Sequence, residues 1–139
     1  MILIDSNVLI DVIEQDPNWH DWSFGQIEAA VVAGRAAINP IVIAETAPRT
    51  GSLEHFEARL SQMLIEVEPL SNISAYRAGA AFQAFKRKRI DATAKSVLAD
   101  FLIGGHAQSL GATVLTRDPR FYRTYFPTVP LITPETTEP

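Results

Sequence analysis

The chain contains no cysteine, which excludes disulfide bonds, thiolate catalysis and cysteine-ligated zinc or iron–sulfur centres. Histidine is also rare, and His20, His55 and His106 are too far apart in sequence to form the paired helical motif of a zinc site. We therefore assign no histidine a catalytic role. We expect His106 to pack or to hydrogen-bond on its own helix.

Long apolar runs are missing as well, and none approaches the roughly 18–20 residues that cross a bilayer. The N-terminus has neither the basic start nor the small-residue cleavage site of a secretory signal, so we expect a cytoplasmic protein without membrane association. The 139 residues are 47% hydrophobic and 20% charged, as in an ordinary globular protein. Without internal repeats or long linkers, the sequence predicts one domain over residues 1–139.

Positive charge is scarce, because the net charge is −4 and Lys86-Arg87-Lys88-Arg89 is the only concentrated basic run. Nucleic-acid binding normally draws on a basic surface. Two divalent cations bound by four acids would add +4 and bring the net charge of −4 to zero, whereas one would leave −2. The basic run has two interpretations of equal weight, a contact with RNA or a favourable match to a helix dipole. Arg117, Arg120 and Arg123 are further candidates for RNA contact.

Short apolar runs alternate with segments of helical spacing along the chain. Strands are predicted at residues 2–4, 36–38, 65–67, 112–116 and 129–132. Between them, helices are predicted after Ser6 as a cap, from a capping box at Ser23 to about residue 33, and after Asn39-Pro40. Further helices are predicted over residues 53–64, 73–89 and 96–110. This alternation predicts an α/β fold, with a parallel-stranded central sheet flanked by helices on both faces.

Four acidic residues stand where such a sheet would present them. Asp5 and Asp118 follow apolar strand-like runs, while Glu45 and Asp100 fall on predicted helices beside them. Ligands of open α/β sheets bind beyond the carboxyl ends of the strands, so we expect the four side chains to converge. Converging carboxylates repel one another unless they hold protons or a hard divalent cation. Each acid alone is more often a cap, turn or solvated residue, but together they predict a metal site.

The segments that carry these acids have a characteristic order and spacing. They are Ile4-Asp-Ser-Asn-Val-Leu-Ile-Asp11, the helix with Glu45, Ala99-Asp-Phe-Leu-Ile-Gly-Gly-His-Ala107, and Leu115-Thr-Arg-Asp118. In this order the chain resembles the PIN-domain family and, within it, the VapC-type ribonuclease toxins of bacterial toxin–antitoxin pairs. It departs from many relatives at residues 95–99, where they have a proline-containing turn before the third acid.

The resemblance implies a Mg²⁺- or Mn²⁺-dependent endoribonuclease that leaves a 5′-phosphate and a 3′-hydroxyl. It places the catalytic, metal-binding acids at Asp5, Glu45, Asp100 and Asp118. It also implies a cognate antitoxin partner and a homodimer whose two metal sites share one face. In similar proteins the neighbourhood of the aromatic segment 19–24 helps to form the antitoxin groove, although an aromatic cluster of this kind is by default part of the core.

Several residues beside the acids have a functional and a local interpretation. Ser6, Asn7 and Thr116 either orient a carboxylate or a metal-bound water, or form local caps. Asp11 lies one turn beyond Asn7 and is expected to be a solvated helix residue. Among the RNA-contact candidates, Arg117 and Arg120 flank the last acid.

Three other functions are compatible with parts of this pattern. An aspartate-based phosphotransferase or phosphatase also has an Asp after its first strand, but it usually needs another acid two residues later, where this chain has Asn7. A non-catalytic PIN-like binding module typically lacks one or more of the four acids. A PIN-domain RNA-processing nuclease without an antitoxin would share the whole acidic set.

Overall fold

The computed structural model describes residues 1–88 and 98–136, whose strands form one all-parallel sheet. The strand order is β3-β2-β1-β4-β5. At the centre, Leu3 of β1 is opposite Ala37 of β2 on one side and Val114 of β4 on the other. The strands are β1 Ile2–Ile4, β2 Ala36–Ile38, β3 Glu66–Val67, β4 Thr113–Leu115 and β5 Leu131–Ile132.

Helices connect the strands and cover both faces of the sheet. Successive strand residues point to opposite faces, and Leu3, Ile4, Val114 and Leu115 are all fully buried. This burial confirms the predicted α/β class with a covered parallel sheet. The helices are α1 Ser6–Ile13, α2 His20–Ala33, α3 Pro40–Thr46, α4 Leu53–Met63, α5 Asn72–Lys88, α6 Leu98–Leu110 and α7 Arg120–Tyr125, with a 3-10 turn at Ala47–Thr50.

Two glycines of α6 allow that helix to pack closely against its neighbours. A Cβ on Gly105 would lie 2.8 Å from the Cβ of Ala78 on α5, and one on Gly104 would lie 2.4 Å from the ring of Phe126. Real Cβ atoms do not approach so closely, so both positions require glycine while the neighbours stay in place. The close packing fixes the position of α6, whose first turn carries Asp100.

Most predicted element boundaries differ from the observed ones by one or two residues, but two predicted caps are wrong. Asp5 caps α1 by accepting a hydrogen bond from the Ser6 backbone N–H at 2.7 Å, so Ser6 is the first helical residue. The helix α2 begins at His20, which places Ser23 inside it instead of at a capping box. The short helix α7 was not predicted.

Some sequence predictions lie outside the described residues. They concern Arg89 at the end of the basic run, the predicted start of the sixth helix, and most of the segment 95–99. Within the described ranges 1–88 and 98–136, no helix is both long and apolar enough to span a membrane.

Candidate active site

The segments after β1 and β4 leave the sheet at the same edge, because the two strands are parallel neighbours with Ile4 opposite Leu115. Asp5 directly follows β1, and its backbone N–H donates to the Leu115 carbonyl at 2.9 Å. The helix α3 follows β2 and therefore starts at this edge as well. The carboxyl-end edge of the sheet thus gathers segments that are far apart in sequence.

All four predicted acids line one cavity of about 230 Å³ at this edge. The side chains of Ile10 and Phe121 form an apolar part of the cavity wall. The full lining consists of Asp5, Ser6, Asn7, Ile10, Glu45, Asp100, Asp118, Phe121 and Tyr122. All four predicted acids therefore border the same cavity at this edge of the sheet.

Asp5 is the most deeply buried of these acids, with 5% of its surface exposed. Its Oδ1 accepts from the Ser6 backbone N–H at 2.7 Å, and its Oδ2 accepts from Thr116 Oγ1 at 2.8 Å and from Tyr122 Oη at 2.9 Å. Burial raises the pKa of Asp5 above its ordinary value, while these hydrogen bonds partly oppose the rise. Three donors therefore fix the orientation of a carboxylate that burial disfavours.

Glu45 is exposed on α3 and is connected to the first acid through Ser6. The Ser6 hydroxyl donates to Glu45 Oε1 at 2.5 Å, while the Ser6 backbone N–H donates to Asp5. Ser6 thus contacts two of the four acids with two different groups. This arrangement gives Ser6 an orienting contact of the kind predicted, although not as a helix cap.

Asp100 is a second carboxyl group in the cavity whose pKa is raised. Burial raises its pKa to about 7, and the negative charges of Asp5, Glu45 and Asp118 contribute in that order. All three other acids therefore act on Asp100 through the electric field of the cavity. A carboxyl group with this pKa is partly protonated at neutral pH.

Asp118 is held through its backbone more than through its side chain, which is 62% exposed. Its N–H donates to Thr116 Oγ1 at 3.1 Å, and its carboxylate lies 3.6 Å from Arg120 Nε. Asn7 braces the same segment, because its Nδ2 donates to Thr116 Oγ1 at 3.3 Å and its Oδ1 accepts from the Arg117 N–H at 3.1 Å. Asn7 and Thr116 thus hold the loop that presents Asp118.

The chemistry of this donor set suits Mg²⁺ or Mn²⁺, which prefer carboxylate oxygens. As placed, however, no three acidic or histidine side chains among residues 1–88 and 98–136 are close enough together to hold one ion. The reason is visible in their hydrogen bonds, since Asp5 is turned toward Thr116 and Tyr122, and Glu45 toward Ser6. The acids share a cavity, but the tight convergence predicted from the sequence is not found.

Tyr122 is a part of the site that was missed at the level of the sequence. It is 1% exposed on α7, and its hydroxyl reaches Asp5 across 117 positions of the chain. Burial, followed by the charge of Asp5, raises the pKa of Tyr122 well above its ordinary value, so the hydroxyl remains a proton donor. No local pattern pointed to Tyr122, because α7 has only six residues and Asp118 lies before its start at Arg120.

Asp11 is not the solvated residue that was expected, because it is only 2% exposed. Its Oδ2 and Oδ1 accept from Arg117 Nε at 2.7 Å and Arg117 Nη2 at 2.9 Å, and Ser23 Oγ donates to Oδ2 at 2.7 Å. The Arg117 guanidinium also lies over the Trp19 ring, 5.1 Å from its centroid. The Arg117 guanidinium therefore forms an intramolecular ion pair with Asp11.

The remaining basic candidates differ in their freedom to meet a ligand. The Arg120 side chain is 90% exposed beside the cavity, whereas Arg123 pairs with Glu135 at 2.8 Å. In the basic run, Lys86 Nζ lies 5.7 Å from the centroid of the Phe82 ring. Arg120 is therefore the exposed cation best placed to approach a ligand of the acidic cavity.

His106 is buried, and its contact differs from the one expected. Its Nδ1 lies 3.2 Å from Nδ2 of Asn39, the residue whose Oδ1 caps α3 through the Ile41 and Val42 N–H groups. Burial lowers the pKa of His106, which favours the neutral ring that accepts this hydrogen bond. His106 therefore connects α6 to the start of α3 and does not line the acidic cavity.

Comparison with known proteins agrees with this architecture. A model of the PIN domain matches residues 2–127. The chain belongs to the PIN-domain family. Comparison with curated proteins gives no match.

Several solved structures share the fold of this chain at low sequence identity. A structure of VapBC2 from Rickettsia felis bound to a DNA fragment from its promoter matches with 21% identity and a TM-score of 0.71, covering 96% of this chain and 98% of that one. FitAcB from Neisseria gonorrhoeae matches with 20% identity and a TM-score of 0.67, covering 97% and 99%. A toxin–antitoxin complex from Klebsiella pneumoniae matches with 21% identity and a TM-score of 0.63, covering 96% and 98%.

Proposed function

We propose that this PIN-domain protein is a Mg²⁺- or Mn²⁺-dependent endoribonuclease and the toxin of a type II toxin–antitoxin pair. The observation that carries the proposal is the acidic cavity, in which the pKa of Asp100 reaches about 7 partly through the charges of three other acids. Such a cluster favours a cation strongly, because binding one removes the mutual repulsion of the carboxylates.

Asp5, Glu45, Asp100 and Asp118 would hold the cation. When bound, a divalent cation supplies Lewis-acid stabilisation of the negative charge that develops on a phosphodiester during hydrolysis. The four acids would hold it in their ionised form, as carboxylates do when they bind metal. Asp100 is the group that would release a proton near neutral pH, because its pKa is about 7.

The other residues of the cavity prepare the acids for this role. Tyr122 and Thr116 donate to the same oxygen of Asp5 and leave its orientation little freedom. The Ser6 hydroxyl holds Glu45 at 2.5 Å. Ile10 and Phe121 offer apolar contact to a base or ribose beside the reacting phosphate. Arg120, exposed at the rim, would pair with the RNA backbone.

An apolar groove offers a surface for the proposed antitoxin. It encloses about 510 Å³ between α1, α2 and α4, and it includes Val32 at 88% and Leu64 at 67% exposure. Phe24 lines it, so one member of the aromatic segment borders the proposed antitoxin surface. A structural neighbour is a toxin–antitoxin complex, which supports an antitoxin as the partner, and the exposed apolar lining of the groove suits an apolar segment of it. Replacing Val32 by Glu should weaken capture of the cognate antitoxin, while RNA cleavage by the free protein should stay unchanged.

The nuclease proposal is tested by incubating the purified protein with RNA and Mg²⁺ or Mn²⁺, with and without excess EDTA. Asp100→Asn is compared with Glu57→Gln, a matched loss of one charge at an exposed site on α4. We expect cleavage by the wild type and Glu57→Gln, and none with EDTA or Asp100→Asn. Undiminished cleavage in EDTA would refute the metal requirement. RNA binding without cleavage would instead support a PIN-like binding module.

The oligomeric and biological parts of the proposal need separate measurements. Light scattering of the purified protein tests the proposed homodimer. Induction of the protein in a bacterial host, with and without its antitoxin, distinguishes a toxin from an RNA-processing PIN nuclease. Growth arrest that the antitoxin relieves supports the toxin, while unimpaired growth favours the processing enzyme.

A further inference from the structure

A buried ion pair connects the loop of the last acid to the first two helices. Arg117 directly precedes Asp118, and its Nε and Nη2 donate to the carboxylate of Asp11 on α1 at 2.7 and 2.9 Å. Ser23 on α2 donates to the same carboxylate at 2.7 Å. Because bidentate Arg–carboxylate pairs fix geometry as well as charge, this contact restricts the direction of the loop.

The ring of Trp19 covers another side of the Asp11–Arg117 ion pair. The Arg117 guanidinium lies over this ring at 5.1 Å from the centroid, and the Arg117 side chain is 30% exposed. A charged group that is paired, stacked and largely covered is poorly available to an RNA phosphate. The Arg117 guanidinium is therefore bound within the protein, although Arg117 is next to a predicted metal ligand in the sequence.

The backbone of the same loop is held at two adjacent N–H groups. The Arg117 N–H donates to Asn7 Oδ1 at 3.1 Å, and the Asp118 N–H donates to Thr116 Oγ1 at 3.1 Å. Among the ion pairs of residues 1–88 and 98–136, the Asp118 carboxylate makes only a 3.6 Å approach to Arg120 Nε. The direction of the Asp118 side chain thus depends on how firmly the preceding residue is held.

We propose that Asp11 and Arg117 are positioning residues that aim Asp118 at the acidic cavity. This inference rests on the proposed metal-dependent function, because it concerns one of the proposed cation ligands. The buried carboxylate of Asp11 anchors Arg117, and Arg117 limits the backbone rotations that would carry Asp118 away. Neither side chain touches RNA or the reacting phosphate in this role.

The test replaces both members of the pair, since removing Arg117 alone would leave a buried, unpaired carboxylate that destabilises the fold. Asp11→Asn with Arg117→Met keeps an acceptor for Ser23 and an apolar stem over Trp19. We expect its Mn²⁺ affinity, measured by calorimetry with the metal alone, to fall by about tenfold, as when groups that orient metal ligands are lost. Arg117→Lys, which keeps the charge without the planar fork, should give an intermediate affinity.

Two additional measurements separate positioning from simple stabilisation. Hydrogen exchange at the Arg117 and Asp118 amides should accelerate by about tenfold in the double variant, because local opening becomes easier. RNA cleavage should lose kcat with little change in KM. Leu60→Val, a buried substitution on α4, serves as a control that weakens the core elsewhere and should alter none of the three.

The outcomes distinguish this inference from the proposed function. Wild-type Mn²⁺ affinity and wild-type amide exchange in the double variant would overturn the positioning role. Failure of the wild-type protein to bind Mn²⁺ and to cleave RNA would refute the proposed function instead. In that case accelerated exchange at Arg117 and Asp118 would still show that the ion pair holds the loop, and unchanged exchange would overturn that as well.

Discussion

Truncating Asp5 to Ala is the sharpest test of how the acidic cavity is built. The substitution removes the acceptor of three hydrogen bonds, from the Ser6 N–H, Thr116 Oγ1 and Tyr122 Oη. Thr116 retains an alternative acceptor in the Asp118 carbonyl at 3.4 Å, so two buried donors lose their partner. At about 1–3 kcal/mol for each, the loss would be roughly 2–6 kcal/mol.

The charge of Asp5 acts in the opposite direction. Burial raises its pKa, which means that folding penalises the ionised carboxylate, and Glu45 adds to this penalty. Removing the charge therefore restores part of the lost stability, and we expect Asp5→Ala to lose about 2–4 kcal/mol. Asp5→Asn removes the same charge but keeps one acceptor atom, so its loss should be about 1 kcal/mol or less.

Urea unfolding in excess EDTA measures both variants by linear extrapolation. Asp21→Asn, at an exposed residue on α2, controls for a general change in charge. Wild-type stability of Asp5→Ala would contradict the hydrogen-bonded role of this carboxylate. An equally large loss in both variants would mean that the contacts of Asp5 outweigh its charge penalty and that its role is mainly structural. RNA cleavage should be abolished in both variants in either case.

Three further predictions address titration, charge and packing. The pKa of Asp100 is raised from 3.8 to about 7, so without added metal the folded state loses stability as the pH rises through this interval. Asp100→Asn should flatten this pH dependence of the free energy of unfolding, measured by urea unfolding at several pH values. Arg120→Ala should reduce the salt slope of RNA binding by about 0.7, the single-strand value for one phosphate contact, whereas Arg117→Met paired with Asp11→Asn should leave the slope unchanged. Gly105→Val should lower the free energy of unfolding by about 1–3 kcal/mol or more, because the new side chain would clash with Ala78. Wild-type stability of this variant in thermal or urea unfolding would refute the close packing of α5 and α6.

The fold was largely predictable because its signals are local. Short apolar runs are typical of strands buried on both faces, and the runs around Leu3, Ala37 and Val114 became the three central strands. Asn39 followed by Pro40 predicted the start of α3, and the structure shows the Asn39 side chain accepting from two N–H groups there. The predicted cap at Ser6 failed, because Asp5 stands one residue earlier and its side chain makes the capping contact.

The site was only partly predictable because its supporting contacts cross large distances in sequence. Asp11 has the sequence context of a solvated helix residue, and only the approach of Arg117, 106 positions later, makes its burial possible. Tyr122 belongs to a six-residue helix that no periodic pattern announces, and its partner Asp5 lies 117 positions away. Such pairings follow from the order of parallel strands, and that order is not encoded in any one segment.

Electrostatics explains why acids that share a cavity do not crowd together. Two carboxylates about 5 Å apart repel by roughly 3 kcal/mol at an effective dielectric of about 20, which exceeds the net value of an ordinary hydrogen bond. Separate donors therefore stabilise Asp5 and Glu45 in separate orientations. Burial, together with the remaining repulsion from the other acids, raises the pKa of Asp100. A divalent cation would reverse this balance, because attraction to the ion replaces repulsion between the acids. If the proposed function holds, the four acids would converge further only when they hold a cation.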